Sequence, residues 1–288
     1  MRIGIGLPAW IPGVRGSLLL DWAREADSGP FSSLGLIDRV VYANYEPLIA
    51  LAAAAGVTRR VRLVTTVLLG PVRETTLLAK QAASLDALAE GRLTLGLGIG
   101  AREDDFAATS SAFHTRGRRF DQQLETLERI WTGQALSADV GPIGPAPVQA
   151  GGPEVLLGGY SPAAIKRLAR RGHGFMAGGG DPQLADRFFR LTETAWREAG
   201  RSGQPRLVGC GYFALGERAA ERGATSIEAY YSFAPERAQR IASTLPSSPE
   251  QVRAIIQAYQ DTGADELILW PAIPELDQVA RLTELVNG

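Results

Sequence analysis

The chain has 288 residues, of which 45% are hydrophobic, and a formal net charge of −1 at pH 7. That length and composition suit a globular protein with a sizeable core, and the near-neutral charge argues against nucleic acid or an anionic membrane as its main partner. The single cysteine cannot form an internal disulfide, the first residues do not resemble a signal peptide, and no apolar run reaches the roughly 20 residues of a membrane helix. We therefore expect a cytoplasmic protein.

Short apolar runs alternate with amphipathic segments along the chain, a pattern typical of repeated strand–helix units on a parallel sheet. The predicted strands are Arg2–Leu7, Leu34–Ile37, Val61–Leu68, Leu93–Leu97, Glu154–Leu157, Gly174–Met176, Arg206–Phe213 and Glu266–Trp270. The predicted helices are Leu18–Asp27, Pro47–Ala55, Leu77–Ala89, Arg119–Trp131, Pro162–Arg171, Pro182–Ala199, Pro249–Asp261 and Leu276–Val286. Eight strands and eight helices in alternation favour an α/β fold, a single (β/α)8 TIM barrel.

The barrel is expected to form one domain over residues 1–288, because no change in composition marks a boundary. Two segments interrupt the alternation: Thr132–Gly152, which is rich in glycine and proline, and residues 217–248, which have the pattern of a helical insertion before the last strand–helix unit. Three predicted helices begin with a cap residue followed by proline, at Ser161, Asp181 and Ser248.

Glycines follow three consecutive predicted strands, at the end of the barrel where active sites of this architecture lie. The glycines are Gly98 and Gly100 after the fourth strand, Gly158 and Gly159 after the fifth, and Gly178, Gly179 and Gly180 after the sixth. Backbone without side chains lets a flat or phosphorylated ligand approach closely. Ser161 adds a hydroxyl at a helix N-terminus, which favours phosphate, although a simple helix cap explains it equally well.

Charged residues at the same end of the barrel are the candidates for catalysis. Asp38 and Arg39 follow the second strand and are interpreted either as catalytic groups or as an ion pair on the rim. Glu103, close to the end of the fourth strand, is a candidate for a carboxylate that points into the site. Asp104 and Asp105 are expected to lie in a solvated loop.

Metal and nucleophile motifs are missing: the sequence has no CxxC, HExxH or GxSxG pattern, and its two histidines make a multi-histidine metal site improbable. His173 is interpreted as structural, and His114 lies in a loop. Arg116, Arg118 and Arg119 are expected to begin a solvated helix face, with contact of one of them to an anionic ligand as the alternative. Candidates for an apolar substrate pocket are the loop aromatics Trp10, Tyr42, Tyr45, Phe106 and Phe113.

Taken together, these segments resemble the bacterial luciferase-like superfamily of flavin- and deazaflavin-dependent oxidoreductases. The most specific similarity lies in residues 78–100, which read LAKQAASLDALAEGRLTLGLGIG. It continues in residues 154–175, which read EVLLGGYSPAAIKRLARRGHGF. The similarity covers nearly the whole chain.

The resemblance implies a barrel that holds reduced FMN, or the deazaflavin coenzyme F-420, and acts on a small organic substrate. It implies a bulge with a non-prolyl cis peptide in the third strand, at Thr65, Thr66 and Val67. It also implies phosphate contacts, for which the matching residues are Gly158, Gly159 and Ser161, with Gly178 and Gly179 as further candidates.

The resemblance has implications for partners as well. Members of the superfamily often dimerise through their second and third helices, which here are Leu48–Ala55 and Leu77–Ala89. The small apolar residues of Leu48–Ala55 suit that role, although they suit packing on the barrel equally well. Chemistry with reduced FMN implies a separate flavin reductase as a second partner.

Two positions depart from the superfamily pattern. Gly98 and Ile99 stand where many members have a Cys-Arg pair whose arginine holds the FMN phosphate, and this loss favours the deazaflavin. Arg39 stands where many members have an acid–base histidine. A guanidinium stays protonated at neutral pH, so proton transfer must come from elsewhere, with Glu103 as the candidate, or be unnecessary.

The sequence leaves three functions open. The first is an oxidoreductase, working either by monooxygenation with reduced FMN and oxygen or by deazaflavin hydride transfer. The second is a non-catalytic flavin-binding or subunit-like barrel, which Arg39 permits. The third, an aldolase or isomerase barrel, ranks below both because Lys80 and Lys166, the two lysines of the chain, fall on predicted helices.

Overall fold

The computed structural model describes residues 1–287, and in it eight parallel strands close into a barrel in chain order. The strands are β1 (Arg2–Gly6), β2 (Ser33–Leu36), β3 (Arg62–Leu69), β4 (Leu93–Gly98), β5 (Glu154–Gly158), β6 (Gly174–Ala177), β7 (Arg206–Phe213) and β8 (Glu266–Pro271). β8 pairs with β1 and completes the ring. The predicted barrel and its eight strands are confirmed, and no strand end differs from its predicted position by more than one residue.

Helices surround the barrel and include all eight that the sequence predicts. They are α1 (Gly16–Ser28), α2 (Pro47–Ala55), α3 (Thr75–Leu88), α4 (Glu103–Ala108), α5 (Arg116–Trp131), α6 (Pro162–Arg171), α7 (Pro182–Glu198), α8 (Ala219–Tyr230), α9 (Pro235–Ser243), α10 (Pro249–Asp261) and α11 (Asp277–Asn287). Within residues 1–287, no helix has both the length and the apolar character needed to span a membrane.

The cap residues act as the sequence predicts. The side chains of Ser161, Asp181 and Ser248 accept hydrogen bonds from backbone N–H groups three residues later, at 3.2, 3.0 and 3.3 Å. Each satisfies one of the free donors at a helix N-terminus. The predicted helical insertion is confirmed as the pair α8 and α9.

The short helix α4 is not predicted, because the acidic run from Arg102 to Asp105 was expected to be a loop. It has six residues, too few for an apolar period to be recognised, and its anchor in the core is the single buried ring of Phe106. Its first turn holds three acidic residues, which the positive end of a helix dipole favours.

A buried ionic network closes the N-terminal end of the barrel. Glu266 is fully buried at the start of β8 and accepts hydrogen bonds from Ser32, from Ser33 at 2.7 Å, and from Arg206, which also pairs with Glu154. Burial alone would raise the pKa of Glu266, but Arg206 and the two serines lower it below its ordinary value. These charged groups are bound to one another at the N-terminal end of the barrel, whereas the glycine-rich strand ends lie at the opposite, C-terminal end.

Candidate active site

A cavity of about 430 Å³ lies at the C-terminal ends of the strands, within the size range of small-molecule sites. Ten of the predicted site residues line it together: Asp38, Thr66, Val67, Gly98, Gly100, Gly158, Gly159, Ser161, Gly178 and Gly179. Three others, Arg39, Thr65 and Glu103, do not line it. The glycine-rich residues predicted from the sequence therefore line the cavity, whereas of the charged residues predicted to be catalytic only Asp38 does.

The floor of the cavity is built around Val67. The register of β3 shifts between Thr65 and Leu68, and the peptide bond between Thr66 and Val67 is cis, as the superfamily resemblance implies. A Cβ at Gly98 or Gly158 would come within 3.0 or 3.1 Å of the Val67 side chain. These two glycines therefore make room for the bulge, which gives the floor a nearly bare surface.

The two threonines of the bulge hold it in place. Thr65 Oγ1 donates to the carbonyl of Gly96 at 2.8 Å, which keeps Thr65 buried beneath the floor. Thr66 Oγ1 accepts from Trp270 Nε1 at 2.9 Å, and this bond ties β3 to β8 across the barrel. Thr65 thus supports the cavity from below, whereas Thr66 lines it.

The other strand-end glycines are open. A Cβ at Gly178 or Gly179 would meet no neighbouring atom within 4 Å, so packing does not require glycine there. Gly159 and Gly179 have φ values of 140° and 99°, a region that favours glycine. Next to them Ser161 caps α6, so the cap interpretation is confirmed and the N-terminus of that helix lies at the cavity.

Two guanidinium groups lie at this side of the cavity. Arg116, at the start of α5, donates to the carbonyls of Gly100 at 3.3 Å and Phe113 at 2.9 Å, and it lines the cavity instead of facing only solvent. Arg167, on α6, lines it as well and pairs with Asp121 at 2.6 Å. The sequence analysis missed Arg167, because nothing in the sequence shows which face of α6 is turned to the cavity.

Asp38 is buried at the edge of the cavity, after β2. Its Oδ2 accepts from the Leu69 N–H at 2.9 Å and from Arg73 at 3.0 Å, whereas its Oδ1 makes no hydrogen bond within residues 1–287. Burial raises the pKa of Asp38, against the opposing effects of Arg73 and the Leu69 N–H. The alternative of an ion pair between Asp38 and Arg39 is wrong, since Arg73 is the partner of Asp38.

Arg39 is committed to the insertion that covers the barrel. Its guanidinium donates to the carbonyls of Tyr230 and Val41, both at 2.6 Å, and lies 4.5 and 5.2 Å from the ring centres of Tyr42 and Tyr230. The side chain is buried but does not line the cavity. Arg39, which stands where many members of the superfamily have a histidine, therefore binds the C-terminal end of α8 and does not contact the cavity.

The acidic run differs from its prediction in two residues. Glu103 is exposed at the start of α4 and does not line the cavity, so the structure gives no support to a catalytic role. Asp105 is buried, because its Oδ1 accepts from the N–H groups of Val40 and Val41 at 3.0 and 2.8 Å. Asp104 is largely exposed and pairs with Arg102.

Both histidines lie outside the cavity. His173 accepts a hydrogen bond from the Val155 N–H at 3.0 Å at the N-terminal end of the barrel, which confirms its structural interpretation. His114 is exposed beside Phe113. Lys80 donates to the carbonyl of Gly144, and neither it nor Lys166 lines the cavity, which removes support for an aldolase.

The aromatic wall of the cavity was also missed. None of the five loop aromatics proposed from the sequence lines it; the rings that do belong to Tyr160, Tyr212, Tyr230, Tyr231 and Trp270. Tyr212 and Trp270 lie on β7 and β8, and Tyr230 and Tyr231 end the first helix of the insertion. Periodicity marks such residues only as buried and does not distinguish core from cavity.

Comparisons with known proteins identify the family and the fold of the chain. The model of the family described as luciferase-like monooxygenase matches residues 12–269. The crystal structure of monooxygenase RslO1 from Streptomyces bottropensis is 26% identical and superposes with a TM-score of 0.79 over 99% of this chain and 97% of that one. An F-420-dependent secondary alcohol dehydrogenase shares the fold, with 16% identity and a TM-score of 0.78 over 99% and 98% of the two chains.

Relatives found by sequence match only part of the chain. An uncharacterized Mycobacterium bovis protein is 35% identical over 54% of this chain and 56% of its own, so the match spans little more than half of that relative. A 4-hydroxyprotoasukamycin monooxygenase from Streptomyces nodosus is 36% identical over 30% of this chain and 24% of its own. The family match over most of the chain is the decisive finding: this protein belongs to the luciferase-like monooxygenase family.

Proposed function

We propose that the chain is an oxidoreductase that binds reduced FMN in its C-terminal cavity and uses oxygen to monooxygenate a small organic substrate. One observation carries the proposal: a bare floor around Val67 adjoins a glycine-lined helix N-terminus that has two guanidinium groups beside it. The first feature suits a flat ring and the second suits a phosphate.

The residues present fit such a cofactor. Gly178 and Gly179 have free space where a side chain would begin, so a ligand can approach their backbone. Ser161 offers a hydroxyl, and the N-terminus of α6 offers backbone N–H donors. Arg116 makes no ion pair within residues 1–287, so its charge is available to an anion. These residues would hold the phosphate, while Val67 and the glycines beside it would face the ring.

Arg116 is the residue that favours FMN in this proposal. Many members of the superfamily have an arginine at the position of Ile99 that holds the FMN phosphate, and here the guanidinium of Arg116 reaches the carbonyl of the next residue, Gly100. Arg116 would therefore supply the missing charge from α5. Deazaflavin hydride transfer is the second candidate, and the observation that favours it is the absence of a charged side chain at Ile99 itself.

Reduced FMN supplies two electrons to molecular oxygen when it is bound. The protein provides the surroundings: the rings of Tyr212, Tyr230 and Trp270 exclude water from one side of the cavity. Asp38 is the proposed acid–base group, because its Oδ1 is free of protein hydrogen bonds within residues 1–287 and burial raises its pKa above the ordinary value of a carboxyl group.

Two kinds of protein partner belong to the proposal. A separate flavin reductase would deliver the reduced cofactor. A second copy of the chain would cover α2 and α3, where Ile49, Leu77 and Leu88 are 68%, 58% and 65% exposed. Sedimentation of the wild type and of Ile49→Glu tests this dimer. The carboxylate that the substitution introduces into the interface should shift the protein from dimer to monomer.

Binding tests the proposed function directly. Under anaerobic conditions the purified chain should bind reduced FMN at a stoichiometry of about one per chain, followed by the tryptophan fluorescence of the protein, and it should bind reduced riboflavin, which lacks the phosphate, at least about tenfold more weakly. Preference for F-420 over FMN would favour the second candidate. Failure to bind either would contradict the proposal. A bound flavin whose reoxidation no substrate accelerates would instead indicate a non-catalytic barrel.

A further inference from the structure

Two tyrosine hydroxyls meet in the cavity at the end of β7, the strand that follows the glycine-lined ends of β4, β5 and β6 around the barrel. Tyr212 Oη and Tyr231 Oη are 3.0 Å apart, and both side chains are buried at the cavity surface. Neither hydroxyl makes another hydrogen bond within residues 1–287. One proton forms the bond between them, so the pair retains one O–H donor without an acceptor.

Burial favours the neutral form of Tyr212. It raises the pKa of Tyr212 well above its ordinary value, and the neighbouring hydroxyl of Tyr231 raises that pKa further. Tyr212 therefore keeps its phenolic proton, which the hydrogen bond between the two hydroxyls requires. A buried donor without an acceptor is costly, which makes a ligand oxygen at this point favourable.

A positive charge lies next to the pair. Arg237, on α9, lines the cavity with its guanidinium carbon 5.1 Å from the ring centre of Tyr231. Arg237 has no ion pair and no side-chain hydrogen bond among residues 1–287, in contrast to Arg167, which is paired with Asp121. An oxygen that carries negative charge would meet both the free O–H and this guanidinium.

The surrounding walls are aromatic. The ring of Tyr212 lies 5.0 Å from that of Trp270, and the ring of Tyr231 lies 4.9 Å from that of Tyr230. The indole N–H of Trp270 donates to Thr66, so Trp270 adds apolar surface to the pocket but no free hydrogen-bond donor. The polar groups are thus few and convergent within an apolar pocket, the arrangement that fixes the orientation of a ligand.

We infer that Tyr212, Tyr231 and Arg237 form a substrate subsite for an electron-rich oxygen, and that the substrate is a planar unsaturated compound carrying a phenol, enol or carbonyl group. This inference rests on the proposed function, because it assigns the glycine-lined part of the same cavity, at the ends of β4 to β6, to the cofactor. The substrate oxygen accepts the free O–H of the tyrosine pair, and Arg237 stabilises negative charge on it.

Binding of a phenol and of its hydroxyl-free analogue tests the inference. The probes are 2-naphthol and naphthalene, followed by their own fluorescence with the full-length chain. Wild type should bind 2-naphthol at least about tenfold more tightly than naphthalene, as expected for a hydrogen bond assisted by charge. Tyr231→Phe and Arg237→Gln should each remove most of that preference and leave the affinity for naphthalene unchanged.

A matched control is Tyr259→Phe. Tyr259 is a buried tyrosine of α10 whose hydroxyl has no hydrogen-bond partner among residues 1–287 and does not line the cavity, so its removal should leave both affinities as in wild type. Equal binding of the two probes by wild type, or an unchanged preference in both variants, would overturn the inference. FMN titration of the same samples separates the two proposals: if FMN binds without the naphthol preference, only the subsite is wrong, whereas absent FMN binding contradicts the proposed function.

Discussion

The two sides of the cavity are built in different ways. On one side, which we call the glycine side, Gly158, Gly159, Ser161, Gly178 and Gly179 present backbone and a helix N-terminus. On the other side, called the aromatic side, Tyr212, Tyr230, Tyr231 and Trp270 present large rings and few polar atoms. Backbone donors bind the invariant part of a ligand, such as a phosphate, whereas side chains can change without altering the fold.

This difference suggests a division of labour. A cofactor phosphate suits the glycine side, where Gly159 and Gly179 have φ values that favour glycine. A substrate differs between relatives and suits the aromatic side, which β7, β8 and the insertion build from side chains. Variants on the two sides should therefore affect different ligands.

The largest effect on stability is expected from Arg39→Ala, which removes contacts between the barrel and the insertion formed by α8 and α9. It removes two hydrogen bonds to carbonyls and the contacts with the rings of Tyr42 and Tyr230. We expect the free energy of unfolding to fall by about 3 kcal/mol, measured by urea denaturation. Arg118→Ala, at an exposed position on α5, is the control and should be close to neutral. A neutral Arg39→Ala would show that Arg39 does not hold the aromatic side in place.

The next effect concerns the glycine side. Arg116→Gln should weaken FMN binding about tenfold and leave riboflavin binding nearly unchanged, since a charge-assisted contact to phosphate contributes roughly 1.5–3 kcal/mol. The measurement is flavin fluorescence with both ligands. Equal losses for FMN and riboflavin would place Arg116 outside the phosphate site. Arg118→Gln on the same helix should change neither affinity.

Asp38, which lies between the two sides, should make stability depend on pH. Because its folded-state pKa is raised, the folded protein binds more protons than the unfolded chain at pH values above 3.8 and below the raised pKa. Its contribution to stability should thus fall as pH rises through that window, by at most about 1.4 kcal/mol per pH unit. The difference in the free energy of unfolding between wild type and Asp38→Asn should change with pH inside that window and become independent of pH above it. A difference that grows in favour of wild type with rising pH would contradict the direction of the shift.

The smallest effect is expected from Ser161→Ala. Loss of the cap bond to the Ala164 N–H should lower the free energy of unfolding by about 1 kcal/mol. If the hydroxyl also binds phosphate, the ratio of FMN to riboflavin affinity should fall several-fold in the same variant. Ser248→Ala, which removes an equivalent cap on α10, should lower stability similarly and leave that ratio unchanged.

The fold was predictable because its signals are local. Alternating apolar runs marked every strand, and glycines directly after strands marked the floor around Gly98 and Gly158. Asp105 was not predictable, because its burial depends on the N–H groups of Val40 and Val41, far away in the chain.

The aromatic side was beyond sequence reasoning for a related reason. Tyr212 lies in an apolar strand, where each ring is equally consistent with the core, and the contact of its hydroxyl with Tyr231 arises only when α8 folds over the barrel. Arg39 shows the same limit. Its departure from the family histidine was visible in the sequence, but its partner, the Tyr230 carbonyl, was not.

A crystal structure of the full chain with bound FMN would show whether the glycine side binds the cofactor phosphate. We expect phosphate oxygens within hydrogen-bond distance of Ser161 Oγ and the guanidinium of Arg116, with the ring against Val67 and the tyrosine pair left free. A phosphate bound next to Arg237, or a flavin outside the cavity, would contradict this expectation.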